Sequence, residues 1–262
     1  MAPIEEPRGL KKYLEKESHA VEVSQRLHGP EFELFCELAE FYERLGTLCR
    51  MKSQEAARLA SPPKLFQVVM CQMYGVGSQL LRRRILDADA LTRRAIEATA
   101  IAYRLWKHPE LCDVFENAYP NHHKQDHPKQ WRPSYEYNEA FKLDQLFGEP
   151  EAVWANLRSV HDAVSAGSTH SGPLATAFHV QSDGKVLLHF IEPDNRLVRM
   201  TWNSMLNLYS EMLMLFLNLL RGSAESALIE AFEKDLRGWR EKAAIIARQR
   251  NESPPSGLET DG

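Results

Sequence analysis

A helical pattern runs through Leu91-Thr92-Arg93-Arg94-Ala95-Ile96-Glu97-Ala98, which sets an Arg and a Glu four residues apart. Residues at this spacing lie on the same face of an α-helix, so Arg93 and Glu97 should be neighbours. The apolar residues around them should pack against the rest of the protein: Leu91, Ile96, Ala98, Ile101, Leu105 and Trp106. We therefore expect a helix with one buried face and an ion pair at its edge.

The same periodicity predicts further helices on both sides of this one. They cover 30–60, 64–86, 110–119, 151–166, 202–220 and 223–248. Gly75 and Gly77 would let another helix approach the second of these closely, because glycine has no side chain. We assign 30–250 to one helical bundle domain, 1–29 to a loosely packed N-terminal segment and 251–262 to a disordered tail.

A small β element is predicted before the last two helices. Two alternating segments, 178–181 and 186–190, flank Asp183-Gly184, and alternation about Asp-Gly is a strong hairpin signal. A further turn would lead to a third strand over Leu197–Met200. The expected fold class is therefore mainly α: a helical bundle with a small antiparallel β-hairpin or meander inserted near 176–201.

The composition is that of an ordinary globular protein. Of the 262 residues, 44% are hydrophobic and 26% are charged, with a formal net charge of −4. This mild balance argues against a surface that wraps nucleic acid, which carries a clustered basic excess. The four cysteines form no CxxC pair, the N-terminus is too charged for a signal peptide, and the apolar stretches 65–81 and 205–220 carry internal polar residues. We therefore expect a cytoplasmic protein with no membrane span, no cofactor and no bound metal.

The first candidate site is the pair of Arg93 and Glu97. On an exposed face this pair would contribute only about 0.3–0.5 kcal/mol to stability. If helix packing partly buries the two side chains, they require a polar partner from another helix, since buried charge is costly unless paired. Both interpretations are compatible with the sequence.

A second polar group follows on the helix predicted over 151–166. His161 lies four residues after Leu157 at the flank of an apolar stripe, and Ser165 follows one turn later on the same side. His161 could activate that hydroxyl if a third group oriented it, or could be a structural histidine hydrogen-bonded within the bundle. Asp162 is expected to point elsewhere on the helix.

The segment Ser168-Thr169-His170-Ser171 comes directly after the predicted helix end. Plain loop chemistry accounts for such small hydroxyl residues, whereas a histidine on a rigid turn facing Glu97 would complete a polar centre. The candidate catalytic residues are therefore Arg93, Glu97, His161, Ser165 and His170.

Three other groups of residues offer weaker signals. The histidines His122, His123 and His127 lie in a proline-rich loop without the fixed spacing of a metal site. Aromatic and basic residues at 124–137 form either a surface for a nucleic acid or protein partner, or a self-packed loop. The run Arg82-Arg83-Arg84 suits the C-terminal end of a helix, where the dipole favours positive charge, and could also contact phosphate.

The helix with Leu91, Arg93 and Glu97, followed by Ser165-x-x-Ser168-x-His170, resembles an uncharacterised bacterial family of all-helical proteins. That family is distantly similar to the HEPN-like helical domains, which include ribonuclease toxins and antiphage proteins. The resemblance covers residues 31–172 and implies a helical architecture. HEPN ribonucleases carry an Arg followed closely by a His, and here Arg158 and His161 stand closer together than in that motif.

Two hypotheses of function follow from these observations. In the first, a bacterial helical protein acts without catalysis, by self-association as a homo-oligomer or by binding a partner. In the second, a HEPN-like enzyme acts on nucleic acid, as an RNase of the toxin or antiphage kind. Arg93, Glu97 and His170, together with His161, would then form its polar centre, and these side chains should converge in one cleft.

Overall fold

The computed structural model describes residues 9–55, 61–119, 132–166, 191–192, 194–221 and 226–252. In these ranges the chain forms nine α-helices and no strand. The helices are α1 Leu10–Glu55, α2 Ser61–Leu81, α3 Ile85–Lys107, α4 Cys112–Glu116, α5 Tyr135–Ala140, α6 Leu143–Leu146, α7 Ala152–Val164, α8 Asn195–Leu220 and α9 Ser226–Glu252. The prediction of a mainly helical bundle is confirmed.

Helices α1 and α8 run in the same direction through the centre of the bundle. Phe35 packs edge-on against Trp202 with ring centroids 5.4 Å apart. Further along the same two helices, the ring centroids of Tyr42 and Tyr209 lie 6.2 Å apart. The Tyr42 hydroxyl donates a 2.7 Å hydrogen bond to the Tyr209 carbonyl. All four rings are buried, so this aromatic ladder fixes the register of the two helices.

Helix α9 crosses α1 in the opposite direction. Phe41 of α1 meets Phe232 near the start of α9, at a ring distance of 5.4 Å. The carbonyl of Leu34, further back along α1, accepts a 3.1 Å hydrogen bond from the Trp239 indole. The C-terminal end of α9 therefore lies beside the first half of α1.

The segment Leu91–Ala98 belongs to α3 and lies in a seam where α3 packs against α8. The residues of α3 that line this seam are small and fully buried: Ala88, Thr92, Ala95, Thr99 and Ala102. The hydroxyls of Thr92 and Thr99 bond back to their own helix, and each also contacts a sulfur of α8, Met205 and Met212 respectively, at 3.3 Å. Because small residues line α3, the large side chains of α8 can pack closely against it.

Two glycines in α2 also allow close packing. A Cβ added at Gly75 would lie 2.8 Å from Leu91 Cδ1 of α3. One added at Gly77 would lie 3.0 Å from Phe35 Cε1 of α1. Helix α2 therefore packs closely against α3 at Gly75 and against α1 at Gly77.

The predicted third strand is wrong, because residues 195–201 form the first two turns of α8. The Asp194 side chain caps this helix by accepting hydrogen bonds from the backbone N–H groups of Arg196 and Leu197. An N-terminal cap of this kind satisfies donors that the helix cannot bond itself, and therefore favours a helix over a strand here. The hairpin segments 178–181 and 186–190 lie outside the described residues.

The predicted helix start at Pro30 also differs from the structure. Helix α1 begins at Leu10 and continues through this position with a kink, where His28 has φ −122° and ψ 21°. Proline has no N–H to donate to the preceding turn, and such a residue bends a helix without ending it when packing holds both halves. Ala20 and Ser24 in the first half are buried. Of the helices described here, none has the length and apolar content that a bilayer crossing requires.

Candidate functional site

Helix α7 brings a histidine into the core beside α3. Its buried residues repeat at helical spacing: Trp154, Leu157, His161 and Val164. His161 therefore belongs to the apolar stripe itself and not to its flank, where the sequence pattern had placed it. The Phe147 ring packs against the imidazole at a centroid distance of 5.5 Å, and the guanidinium of Arg158 lies 5.7 Å from the centre of that ring.

Helix α3 supplies the acidic partner of this histidine. Arg93 Nε donates a 2.9 Å hydrogen bond to Glu97 Oε1, as the four-residue spacing predicts. The same carboxylate oxygen lies 3.1 Å from His161 Nε2, across the contact between α3 and α7. The side chain of His161 is only 3% exposed, whereas those of Arg93 and Glu97 are about one third exposed.

A second carboxylate holds the other ring nitrogen. Asp162 Oδ1 lies 3.0 Å from His161 Nδ1, and Asp162 Oδ2 accepts a 2.9 Å hydrogen bond from Arg158 Nε. The expectation that Asp162 points elsewhere is therefore wrong. Arg158 also pairs with Asp144 at 3.4 Å, so charges alternate in sign along the whole network.

The two carboxylates favour the charged form of the imidazole. The hydrogen bond to Glu97 raises the pKa of His161 above its usual range, against the opposing effect of burial, and the contact with Asp162 acts in the same direction. Conversely, the hydrogen bond from His161 lowers the pKa of the Glu97 carboxyl. The network therefore favours an imidazolium over a neutral ring between the two carboxylates.

This arrangement limits the chemistry that His161 can perform. An imidazolium donates from both ring nitrogens and has no lone pair with which to take a proton or bind a metal. The ring is also buried under Phe147 and so lies out of reach of a large substrate. In the arrangement observed, His161 acts as a cross-link between α3 and α7.

The structure brings together three of the five candidate residues, namely Arg93, Glu97 and His161. Ser165 lies half-buried at the C-terminal end of α7, where its backbone N–H bonds to the helix. Both ring nitrogens of His161 contact carboxylates, so the imidazole does not activate the Ser165 hydroxyl. His170 lies outside the described residues, as do the histidines of the loop at 122–127.

The sequence pattern groups Arg158 with His161, but the role of Asp162 was missed, although the sequence carried a signal for it. Arg158 and Asp162 repeat the four-residue spacing of Arg93 and Glu97, so each of the two helices presents its own Arg–carboxylate pair. His161 lies between the pairs and joins them. A histidine at a core position next to an Arg-x-x-x-acid motif is the pattern that predicts such a bridge.

Within the described ranges, no three side chains of the His, Cys, Asp or Glu types are grouped so as to hold a metal ion. No family model, curated protein or solved structure matches this chain.

Proposed function

We propose that this chain acts through self-association, with the outer face of α2 bound to the same face of a second copy. The outer face of α2 consists of its exposed residues, Lys64, Gln67, Val68, Cys71 and Tyr74. Val68 is 40% exposed and Tyr74 is 45% exposed. Lys64 is the single charged residue in the whole of this 21-residue helix.

The near absence of charged side chains on α2 itself is the observation that supports the proposal. Carboxylates of other elements contact the two ends of this face, Glu116 at Lys64 and Glu43 at the Tyr74 hydroxyl. Interface cores are depleted of charged residues and enriched in aromatic side chains. A two-fold interface sets each patch against its own copy, so a charged patch would repel itself and an uncharged patch does not. The exposed side of α9 differs, since it carries Glu230, Lys234, Asp235 and Arg237.

A non-catalytic role is also supported by the polar network of α3 and α7. Its histidine has both nitrogens engaged by carboxylates, and therefore contributes to the packing of two helices. The self-association hypothesis requires no chemistry from this network.

The test is sedimentation velocity of the full chain over a concentration series. We expect a reversible dimer, and we expect Val68→Lys combined with Cys71→Lys to give a monomer with an unchanged circular dichroism spectrum. The added charges would face their own copies across the two-fold axis. Leu228→Lys, at an apolar position of α9 that is 49% exposed, is the matched control and should leave the dimer intact.

A thiol cross-linker gives an independent measurement. Cys71 is exposed on the outer face of α2, whereas Cys36 is half-buried and Cys112 is buried. In a Cys49→Ser chain, a short bismaleimide should join two copies, and it should fail when Cys71→Ser is added. A wild-type chain that is monomeric at every concentration, or a dimer that survives the double lysine variant, would contradict the proposal.

The convergence of Arg93, Glu97 and His161 favours a second candidate function, the HEPN-like RNase. An imidazolium can donate a proton to a leaving group, and an arginine beside it can contact a phosphate. Reaching RNA would require the ring to leave its place under Phe147. The self-association hypothesis is preferred because it requires no such rearrangement.

An RNA cleavage assay distinguishes the two candidates. If the network is catalytic, His161→Ala and His170→Ala should each abolish cleavage, while His108→Ala at an exposed position should not. No cleavage by the wild-type chain, or equal cleavage by all four proteins, would exclude the enzyme at this centre.

A further inference from the structure

A second polar cluster lies near the kink of α1, where four elements of the fold meet. His28 at the kink is fully buried, and Glu31 three residues later is 1% exposed. Arg199 of α8 and Arg250 of α9 approach Glu31, and Arg83 follows the end of α2. The positive charges of Arg199 and Arg250 also act on His28, so the imidazole lies near the same two arginines that approach Glu31.

The two arginines hold the carboxylate of Glu31 only loosely. Arg250 Nη2 lies 3.8 Å from Glu31 Oε2, and Arg199 Nε lies 4.0 Å from Glu31 Oε1. Both distances exceed that of a hydrogen bond. Neither oxygen of this buried carboxylate has a hydrogen-bond partner among the described residues.

The imidazole of His28 is in the same situation. Both of its nitrogens are buried and have no hydrogen-bond partner in the described part of the chain. Burial and the positive charges of Arg199, Arg83 and Arg250 lower the pKa of His28 to about 4, so the ring is neutral at pH 7. A neutral imidazole offers one donor and one acceptor.

Buried polar groups in folded proteins are nearly always hydrogen-bonded, and an exception suggests a missing ion or molecule. A partner for this cluster must satisfy two opposite demands. Arg199 Nη1 donates to the backbone carbonyl of Arg250 at 3.3 Å, which leaves its buried Nε in need of an acceptor, whereas the carboxylate of Glu31 requires a donor. A fully deprotonated anion would satisfy the arginines and be repelled by Glu31.

We propose that this cluster, the His28–Glu31 site, binds a phosphate group that carries a proton, either as inorganic phosphate or as a phosphate monoester. The P–OH group donates to Glu31, and the remaining oxygens accept from Arg199, Arg250 and His28. Arginine guanidinium groups match phosphate oxygens in geometry as well as in charge.

The surroundings of the site are compatible with this ligand. The side chains of Arg199 and Arg250 are 19% and 30% exposed, so a ligand enters by displacing them from Glu31. Glu192 and Asp194 act on Arg83 and balance its charge. The excess positive charge is therefore concentrated at Arg199 and Arg250, on the side open to solvent.

Isothermal titration calorimetry of the full chain with phosphate and with sulfate tests the proposal at equal ionic strength and neutral pH. Sulfate resembles monohydrogen phosphate in shape and charge, but has no proton to donate. We expect saturable binding of phosphate and binding of sulfate that is weaker by roughly tenfold or more, the effect of losing one hydrogen bond to a charged group. Adenosine monophosphate in a third titration, at about pH 6 where roughly half of the monoester carries the proton, distinguishes the two sources. Binding tighter than that of phosphate indicates a monoester, and weaker binding indicates the free ion.

Substitutions locate the binding. Arg199→Gln and Arg250→Gln should each weaken phosphate binding by roughly tenfold or more. Their matched controls are Arg196→Gln on α8 and Arg248→Gln on α9, both exposed, and these should bind phosphate like the wild type.

The substitution Glu31→Gln gives the sharpest outcome. The amide of the introduced glutamine can donate to an oxyanion, so this variant should bind sulfate and phosphate with similar affinity. If the variant is unstable, the rise in its unfolding temperature with each anion provides the same comparison. No binding of phosphate to the wild-type chain, equal binding of sulfate and phosphate to it, or equal effects of the Arg196 and Arg199 substitutions would overturn the proposal.

Discussion

The raised pKa of His161 is due to two neighbours that lie at different distances along the chain. Asp162 is the next residue, whereas Glu97 is 64 positions away on another helix. The contact with Asp162 joins adjacent residues, whereas the contact with Glu97 exists only because α3 and α7 pack together. At the scale of one residue, the protonation state is therefore a consequence of the fold.

The first prediction concerns the pH dependence of stability. The pKa of His161 is raised above its ordinary 6.5, so its stabilising contribution is complete below pH 6.5 and is lost as the pH rises through the raised value. The pKa of Glu97 is lowered below its ordinary 4.5, so its contribution is present above pH 4.5 and is lost as the pH falls through the lowered value. The network should therefore stabilise the protein most between these two ordinary values.

In urea unfolding measured from acid to alkaline pH, Glu97→Gln should reduce the dependence of the free energy of unfolding on pH at both the acid and the alkaline end. At pH 6 we expect a loss of about 1 kcal/mol, because Glu97 is partly exposed and solvent screens its charge. Glu110→Gln breaks the exposed contact of Glu110 with His108 and is the control. An equal loss in both variants would show that the network is no stronger than a surface pair.

The second prediction concerns Asp89 of α3. Burial raises the pKa of its carboxyl to about 7, from an ordinary value of 3.8. The folded protein therefore favours the protonated form of the Asp89 carboxyl. The stability that this preference provides is present below pH 3.8 and is lost as the pH rises through about 7. Asp89→Asn should be nearly neutral at low pH and should stabilise the protein by more than about 1 kcal/mol at pH 8.

Unfolding at the two pH values checks this, with Asp113→Asn at an exposed position as control. A carbon-13 NMR titration of the Asp89 carboxyl provides a direct value. A midpoint near the ordinary value of 3.8 would contradict the prediction.

At the scale of the elements, a glycine has opposite consequences for stability in α2 and α9. Gly77 faces the ring of Phe35, which is itself wedged against Trp202 and Tyr209. Gly238 in the middle of α9 has nothing within 4 Å of an added Cβ. Helix propensity favours alanine at both positions, and only the packing distinguishes them.

Gly77→Ala should therefore destabilise the protein by about 1–3 kcal/mol, because Phe35 has no room to move. Gly238→Ala should stabilise it by about 1 kcal/mol, the cost of a glycine in an open helix interior. Thermal or urea unfolding of the two variants gives the comparison. Equal signs for the two changes would refute the packing argument.

The whole molecule depends on how closely α3 and α8 approach each other. The seam of small residues on α3 leaves no space at Ala95, which is fully buried. Ala95→Leu should push the helices apart and destabilise the protein by about 1–3 kcal/mol or more. Ala155→Leu on the exposed side of α7 is the control. Urea unfolding with little difference between the two would show that the seam is loosely packed.

Most of the helices could be predicted from the sequence, because the repeat of apolar residues every three or four positions is a local property. The errors occurred where a local signal competed with packing. The predicted strand at Leu197–Met200 failed because a short apolar run fits a strand or a helix, and the Asp194 cap decides for the helix. The helix start at Pro30 failed because packing holds α1 together across its kink.

The sequence by itself determined the helical class and the pairing of Arg93 with Glu97, since residues four apart in a helix are neighbours whatever surrounds them. Only the tertiary structure decided that His161 bridges Glu97 and Asp162, and that His28 and Glu31 lie buried beside Arg199 and Arg250. Those contacts join residues far apart in the chain. Their geometry depends on which helix faces pack together, and many helix faces of similar apolar pattern could have been chosen.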